Sequence, residues 1–239
     1  MKKKIVALTG AGISAESGIK TFRDSDGLWE GHNVMEVASP EGFAKNPNLV
    51  LEFYNQRRRQ LKEVKPNLAH NILSELQSDY EVVIITQNVD DLHERAGSKN
   101  IIHLHGELLK SRGVDNDKLI FDCFGDIHLG DLSPSGAQLR PHIVWFGEDV
   151  PMIPKAIQEV ESCDILLVIG TSLQVYPAAG LMNYAKYNTL IYYVDLNPQI
   201  QSNENLIVIK ERASIGMQQI ADLLKKISND LPMMIRFVF

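Results

Sequence analysis

The residues whose types and spacing suit chemistry fall directly after short apolar runs. The first run, residues 5–8, passes through Thr9 into Gly10-Ala11-Gly12-Ile13-Ser14-Ala15. Gly10, Gly12 and Ala15 fit the pattern G-x-G-x-x-G/A, with a strand pattern before it and a helical pattern after it. Such a turn lets the backbone come close to a phosphate, which N–H groups at the start of the next helix can hold. A second run, 82–86, leads into Gln87-Asn88-Val89-Asp90. Gln87, Asn88 and Asp90 suit hydrogen bonds to a ribose, an amide or a water, and an Asn or Asp here also suits a helix cap. A third run, 101–104, carries His103-Leu104-His105-Gly106. Period-two alternation places both histidines on one face, with His105 at the strand tip. There an imidazole can act as general base near neutral pH, while His103 reads as structural. Gly170-Thr171-Ser172 and Asp195-Leu196-Asn197 follow two later runs and suit a phosphate or ribose, and Ala213 adds a small residue after a third.

These groups need a frame that brings strand ends together. Apolar runs at 5–8, 82–86, 101–104, 165–169, 190–194 and 206–209 are mostly apolar throughout, as parallel strands covered on both faces are. Helical patterns lie between many of them, at 67–77, 153–162 and 178–187, the last with Pro177 placed at its start. The alternation implies a doubly wound, Rossmann-like parallel α/β sheet, with ligands at the carboxyl ends of its strands. Two segments break the pattern. Residues 24–66 hold several Gly and Pro and then a helical run over 49–61, and residues 110–140 are rich in Gly, Asp and Ser. Both read as insertions forming a second, smaller domain (24–66 and 110–140) beside a main domain of 1–23, 67–109 and 141–239. The apolar stretch 231–239 lies beyond the last helical pattern.

A chain of 239 residues, 44% apolar and 23% charged, has the composition of a globular protein with one large core. Its net charge of −6 argues against general nucleic-acid binding and suits basic partners such as lysine-rich segments. Two cysteines, Cys123 and Cys163, imply no disulfide framework and point to a reducing cytoplasm. Lys2-Lys3-Lys4 before an apolar run imitates the head of a signal peptide, but the run breaks at Gly10 and reads as the first strand. No apolar stretch reaches the roughly 18 residues of a membrane span. The glycine-rich turn alone would equally suit a hydride-transferring dehydrogenase.

The motifs taken in order are more specific. Gly10-Ala11-Gly12-Ile13-Ser14-Ala15-Glu16-Ser17-Gly18-Ile19 with Thr21-Phe22-Arg23, then Thr86-Gln87-Asn88-Val89-Asp90, His103-Leu104-His105-Gly106, Trp145-Phe146-Gly147-Glu148 and Gly170-Thr171-Ser172, resemble the signature of the sirtuins, NAD-dependent protein deacylases. Asp26-Gly27-Leu28-Trp29-Glu30 and Tyr176-Pro177-Ala178-Ala179-Gly180 look closest to the bacterial deacylase branch.

The resemblance implies that NAD is consumed, yielding nicotinamide, free lysine and 2′-O-acyl-ADP-ribose. It implies His105 as the general base, with Asn88 and Asp90 beside it. Gly10, Ala11, Gly12, Phe22 and Arg23 would form the cofactor loop, and Gln87, Asn88, Val89 and Asp90 the nicotinamide and ribose pocket. Gly170, Thr171, Ser172, Asn197 and Ala213 would hold the adenosine half, and Val144, Phe146 and Gly147 the substrate peptide as an added strand. Tyr54 and Arg57, three apart on a helix, match the pair that desuccinylating members use to bind an acyl carboxylate. Arg58 and Arg59 then read as a solvated run. Acylated protein lysines are the implied partners, and an NAD-binding protein with ADP-ribosyl transfer or no turnover is the alternative. Most sirtuins bind zinc through two Cys-x-x-Cys pairs, whereas here Cys123 is the only cysteine within 110–140. No zinc is expected, and apolar packing of Leu119, Ile120, Phe121, Phe124, Ile127 and Leu129 would hold the small domain instead.

Overall fold

In the computed structural model, which describes residues 2–20, 28–29 and 31–234, all six apolar runs are strands of one parallel sheet. In chain order the elements begin with β1 (Lys4–Thr9), the short helix α1 (Ala11–Ala15), β2 (Leu28–Trp29) and β3 (His32–Asn33). Helices α2 (Val34–Val37), α3 (Pro40–Lys45), α4 (Pro47–Leu61) and α5 (Leu68–Glu75) follow. Next come β4 (Glu81–Thr86), α6 (Leu92–Arg95), β5 (Ile101–His103), β6 (Gly106–Gly113), β7 (Asn116–Asp122) and β8 (Leu139–Ile143). The chain continues through α7 (Ile153–Glu161), β9 (Ile165–Ile169), β10 (Leu190–Val194), β11 (Leu206–Ile209) and α8 (Ala213–Met234).

The large sheet has the order β11-β10-β9-β1-β4-β5. The chain thus starts in the middle, builds outward through β4 and β5, then returns to β1's other side for β9, β10 and β11. That reversal is the switch point of a doubly wound sheet. Alternate residues of β1 face opposite layers. Ile5 and Ala7 pack with Leu73 of α5 and Ile220 of α8, while Val6 and Leu8 pack with Val160 of α7 and Leu181.

The helix expectations hold with one exception. The side chain of Asn67 caps α5 by accepting the Ala69 N–H at 3.0 Å, and His70 Nδ1 accepts the Asn67 N–H in return. The segment predicted as a helix over 178–187 is instead a 3₁₀ turn, Ala178–Tyr184. Gly180 within it weakens α-helical continuation. Helix α8 runs on to Met234, so residues 231–234 belong to it rather than lying beyond it. Residues 235–239 fall outside the described part. Among the described residues no helix is long and apolar enough to cross a membrane.

The chain between β5 and α7 forms an antiparallel sheet, β7-β6-β8. Its apolar residues do not pack as expected. Only Ile127 is buried, whereas Leu119, Ile120, Phe124 and Leu129 are 43–63% exposed. Polar ties hold this region to α4. The Asn55 carboxamide donates to the Ile127 carbonyl and accepts the Ile127 N–H, both at 2.9 Å. Arg58 is buried rather than solvated; it donates to the Leu108 carbonyl at 3.0 Å and to Asn55 Oδ1 at 2.8 Å. Arg59 is exposed, as expected, and pairs with Glu52 and Asp126.

Candidate active site

Strand register sets the floor of the site. Thr9 lies level with Thr86 and with Ile169, so β1, β4 and β9 end together. The loops leaving β1 and β9 then touch. The Gly10 N–H donates to the Ile169 carbonyl at 3.0 Å, and the Gly12 N–H to the Gly170 carbonyl at 2.8 Å. A Cβ on Gly12 would lie 2.7 Å from Gly170 Cα, and one on Gly10 2.7 Å from Thr171 Cβ. These glycines are therefore required by the approach of one loop to the other. The sequence reading of the turn needs correction here: the N–H groups of Gly10, Gly12 and Ile13 all bond protein carbonyls, and α1 spans only five residues. The loop offers a phosphate close approach more than a row of open helix-terminal donors.

Above this floor lies a cleft of about 950 Å³. Gly10, Ala11, Gly12, Gln87, Asn88, Val89, Asp90, His105, Gly170, Thr171, Ser172, Asn197 and Ala213 line it, together with Tyr54, Arg57, Val144, Phe146 and Gly147. Phe22 and Arg23 lie outside the described residues.

His105 Nδ1 sits 3.0 Å from the Gln87 carbonyl oxygen. A carbonyl only accepts, so Nδ1 carries the proton and Nε2 is the basic nitrogen of the neutral ring. Burial lowers the pKa of this ring, partly opposed by the bond to Gln87. The chain bends after His103, where β5 ends, so the two histidines do not share surroundings as the alternation predicts. His105 lines the cleft, while His103 Nε2 meets Glu94 Oε1 at 2.7 Å. Burial alone would lower the His103 pKa, but Glu94 and Glu107 raise it. Among the described residues, Glu94, His103 and Glu107 are the only cluster with metal-ligand spacing. Glu94 is already bonded to His103, and Glu107 to Lys110 at 3.0 Å. Cys123 and His128 join no such cluster.

Asp90 is fully buried, and burial pushes its carboxyl up to about 6, against the bonds from the Leu92 N–H and the Ser14 hydroxyl. Its Oδ1 accepts the N–H of Leu92, the first residue of α6, at 3.1 Å. Oδ2 accepts the Ser14 hydroxyl at 2.9 Å. Asn88 Nδ2 donates to the Gly10 carbonyl and to Ser14 Oγ, both at 3.1 Å. Ser14 thus joins the β4 loop to the glycine loop. Sequence reasoning misses this role, whose signal is its place inside the glycine motif. On the β9 side, Gln87 Nε2 donates to Thr171 Oγ1 at 3.0 Å, and the Tyr193 hydroxyl to the Thr171 carbonyl at 3.0 Å.

Tyr54 and Arg57 both face the cleft from α4. The Trp145 indole N–H donates to the Tyr54 oxygen at 3.0 Å. Because the indole only donates, the phenol keeps its own proton to give. Burial raises the Tyr54 pKa strongly, so it stays a neutral donor. The Arg57 guanidinium donates to the Phe53 carbonyl at 2.7 Å and lies 3.7 Å from the centre of the Phe53 ring. Trp145 is itself fixed: its backbone N–H donates to Glu148 Oε2 at 2.8 Å, Glu148 pairs with Arg140 at 2.6 Å, and the Arg140 guanidinium lies over the indole at 3.2 Å. The segment 144–147 is not a strand. The N–H groups of Val144 and Phe146 donate to the carbonyls of His105 and Ala38, each at 2.9 Å.

Fold and cleft define a Rossmann-type α/β protein with a neutral histidine facing its switch-point crevice. Residues 10–177 match the Sir2 family, and the chain belongs to it. It is 57% identical over 226 residues to an NAD-dependent protein deacylase of Helicobacter pylori, covering 94% of this chain and 95% of that protein. Among solved structures it is similar to a Sir2 homologue–NAD complex, at 38% identity and a TM-score of 0.83, over 94% of this chain and 90% of that one. A Sir2–p53 peptide–NAD+ complex is also similar, at 29% identity and a TM-score of 0.77, over 92% and 93% of the two chains.

Proposed function

We propose that this protein is an NAD-dependent protein lysine deacylase acting on acetyl-lysine and also on succinyl- and malonyl-lysine. The observation carrying this reading is the single cleft that holds His105, with its proton fixed on Nδ1, between the glycine loop and the Tyr54–Arg57 pair. The cleft volume and the glycine-lined floor fit a dinucleotide together with an acylated side chain. NAD, once bound, supplies the ribose carbon from which nicotinamide leaves and the hydroxyls that take over the acyl group. His105 Nε2 accepts a proton from a ribose hydroxyl. Asn88 and Asp90 position the loop beneath the ribose through Ser14. Gln87, Thr171, Ser172, Asn197 and Ala213 line the remaining length for the nucleotide. Tyr54 donates its phenol proton and Arg57 its guanidinium to an acyl carboxylate.

The same reading divides the chain into an NAD-binding domain (1–23, 67–109, 141–239) and a small domain (24–66, 110–140) that carries no zinc. Polar ties such as those of Asn55 and Arg58 would replace the metal. Free thiols at Cys123 and Cys163 fit a reducing cytoplasm.

Nicotinamide release from NAD, assayed with and without acylated peptide, tests the activity. Release that depends on the peptide, with deacylated peptide formed in equal amount and lost in His105→Tyr, is expected. Release without peptide, or label from NAD appearing on protein, would favour ADP-ribosyl chemistry. For acyl choice, Arg57→Met should depress desuccinylation far more than deacetylation; an equal loss on both sinks the carboxylate reading.

A further inference from the structure

Strand β10 reads as an apolar run, yet Tyr193 within it carries a hydroxyl and is fully buried. Its ring belongs to the apolar cluster of Leu8, Val168 and Leu181, and it does not line the cleft. A buried hydroxyl needs a partner, and this one donates to the Thr171 carbonyl at 3.0 Å. Tyr193 thereby reaches past the end of β9 into the loop 170–173. The Gly170 N–H donates to the Val194 carbonyl at 2.8 Å, so β10 grips this loop at two successive residues.

The loop is not relaxed. Gly170 has φ +61°, which suits a glycine, but Leu173 has φ +57° and bears a Cβ. Among the described residues, Leu173 is the only non-glycine with a positive φ. A Cβ makes the left-handed region costly, and such a conformation persists only where its surroundings hold it. Thr171 is the point at which they do. Its carbonyl is held by Tyr193, while its Oγ1 accepts the Leu173 N–H at 3.3 Å and Gln87 Nε2 at 3.0 Å. Two donors fill the acceptor capacity of that oxygen, so the Thr171 hydroxyl is left to donate its own proton. Thr171 and Ser172 line the cleft, and a Cβ on Gly10 would lie only 2.7 Å from Thr171 Cβ. A shift of Thr171 is therefore felt in both loops of the floor. We propose that Tyr193 is a positioning residue for NAD. From beneath the cleft, its hydroxyl holds the strained loop 170–173 in the shape that turns Thr171 and Ser172 toward the nucleotide. The proposal rests on the reading of this cleft as an NAD site.

Binding of ADP-ribose to the full-length protein, followed by calorimetry, tests this apart from catalysis. Tyr193→Phe keeps the ring in the core and removes only the hydroxyl. Its Kd for ADP-ribose should rise about threefold to tenfold, the scale of one buried hydrogen bond, with a matching rise in KM for NAD. KM for the acyl peptide and kcat at saturating NAD should stay within about twofold of the wild type. The loss should shrink in a Leu173→Asn background, measured against Leu173→Asn alone, because asparagine enters the left-handed region more readily than leucine. A Tyr193→Phe protein that unfolds at a lower temperature but binds ADP-ribose as the wild type does overturns the proposal, since the hydroxyl is then a core bond only. So does an equal loss in both backgrounds, or a rise in peptide KM that equals the rise for NAD. A wild type that binds no ADP-ribose overturns the NAD reading itself, and the proposal with it.

Discussion

The indole N–H of Trp145 and the phenol oxygen of Tyr54 are joined by a 3.0 Å hydrogen bond inside the apolar wall between α4 and β8. The bond decides what Tyr54 can do. Its oxygen is occupied as an acceptor, so the phenol proton is directed elsewhere, and burial keeps that proton on across ordinary pH. Tyr54→Phe should lower kcat/KM for a succinyl peptide about tenfold more than for the acetyl peptide, the scale of one hydrogen bond to a charged group. Trp145→Phe should bias acyl preference in the same direction with a smaller effect, since the phenol loses its orienting donor but stays present. Matched acetyl and succinyl peptides read both; an unchanged ratio in Tyr54→Phe contradicts the role.

The base has its own pH signature. Burial holds the His105 pKa below the usual 6.5. The neutral ring therefore persists below that pH, and kcat/KM should stay level until the pH drops below 6.5, then fall with the protonated fraction. A pH–rate profile with its acid midpoint above 6.5 would contradict this assignment. Asp90, pushed up by burial to about 6, adds an acid limb of its own, so the profile is best compared with that of Asp90→Asn, in which the limb belonging to His105 remains.

Gly12 and Gly170 make the floor of the cleft, and neither position has room for a Cβ. On Gly12 it would lie 2.7 Å from Gly170 Cα; on Gly170, whose φ is +61°, it would lie 2.4 Å from the Ile13 nitrogen. Both contacts are backbone, which cannot move aside as a side chain can. Gly12→Ala should cost about 1–3 kcal/mol of stability, as overpacking does, and weaken NAD dependence by separating the two loops. Thermal unfolding with and without NAD measures both, and a neutral substitution would show that the loops are free to part.

Much of this is legible in the sequence because buried parallel strands must be apolar throughout. The runs at 5–8, 165–169 and 190–194 lie within or coincide with β1, β9 and β10. The cleft residues were legible for a related reason, since polar residues directly after such runs are carried to one edge of the sheet. What escaped lies where no period reports it. Strands β6 and β7 carry charged and polar residues on both faces, so Leu119, Ile120 and Phe124 read as core and are exposed. Arg58 looked solvated beside Arg57 and Arg59, yet the carbonyl that buries it, Leu108, is 50 residues away in the chain. Ser14 bonds Asp90 across 76 residues, and only tertiary structure joins the two.

Asp90 carries the clearest conflict between stability and function. Its carboxyl has a pKa raised from 3.8 to about 6 by full burial. A group whose folded-state pKa lies above its unfolded value favours folding when protonated. Its contribution is complete below pH 3.8 and is lost as the pH rises through about 6. Above that range the folded protein carries an ionised carboxylate it would hold more easily unfolded, at a cost of up to about 3 kcal/mol. Asparagine keeps an oxygen for the Leu92 N–H and carries no charge. Asp90→Asn should therefore unfold at a higher temperature than the wild type near pH 8, and the difference should shrink as the pH falls toward 4. Deacylation by the same variant should drop, because the Ser14 hydroxyl loses the carboxylate that holds the glycine loop to the β4 loop. A stability difference that stays constant across this pH range would show that Asp90 is hydrated, rather than buried as a charge beneath the cleft.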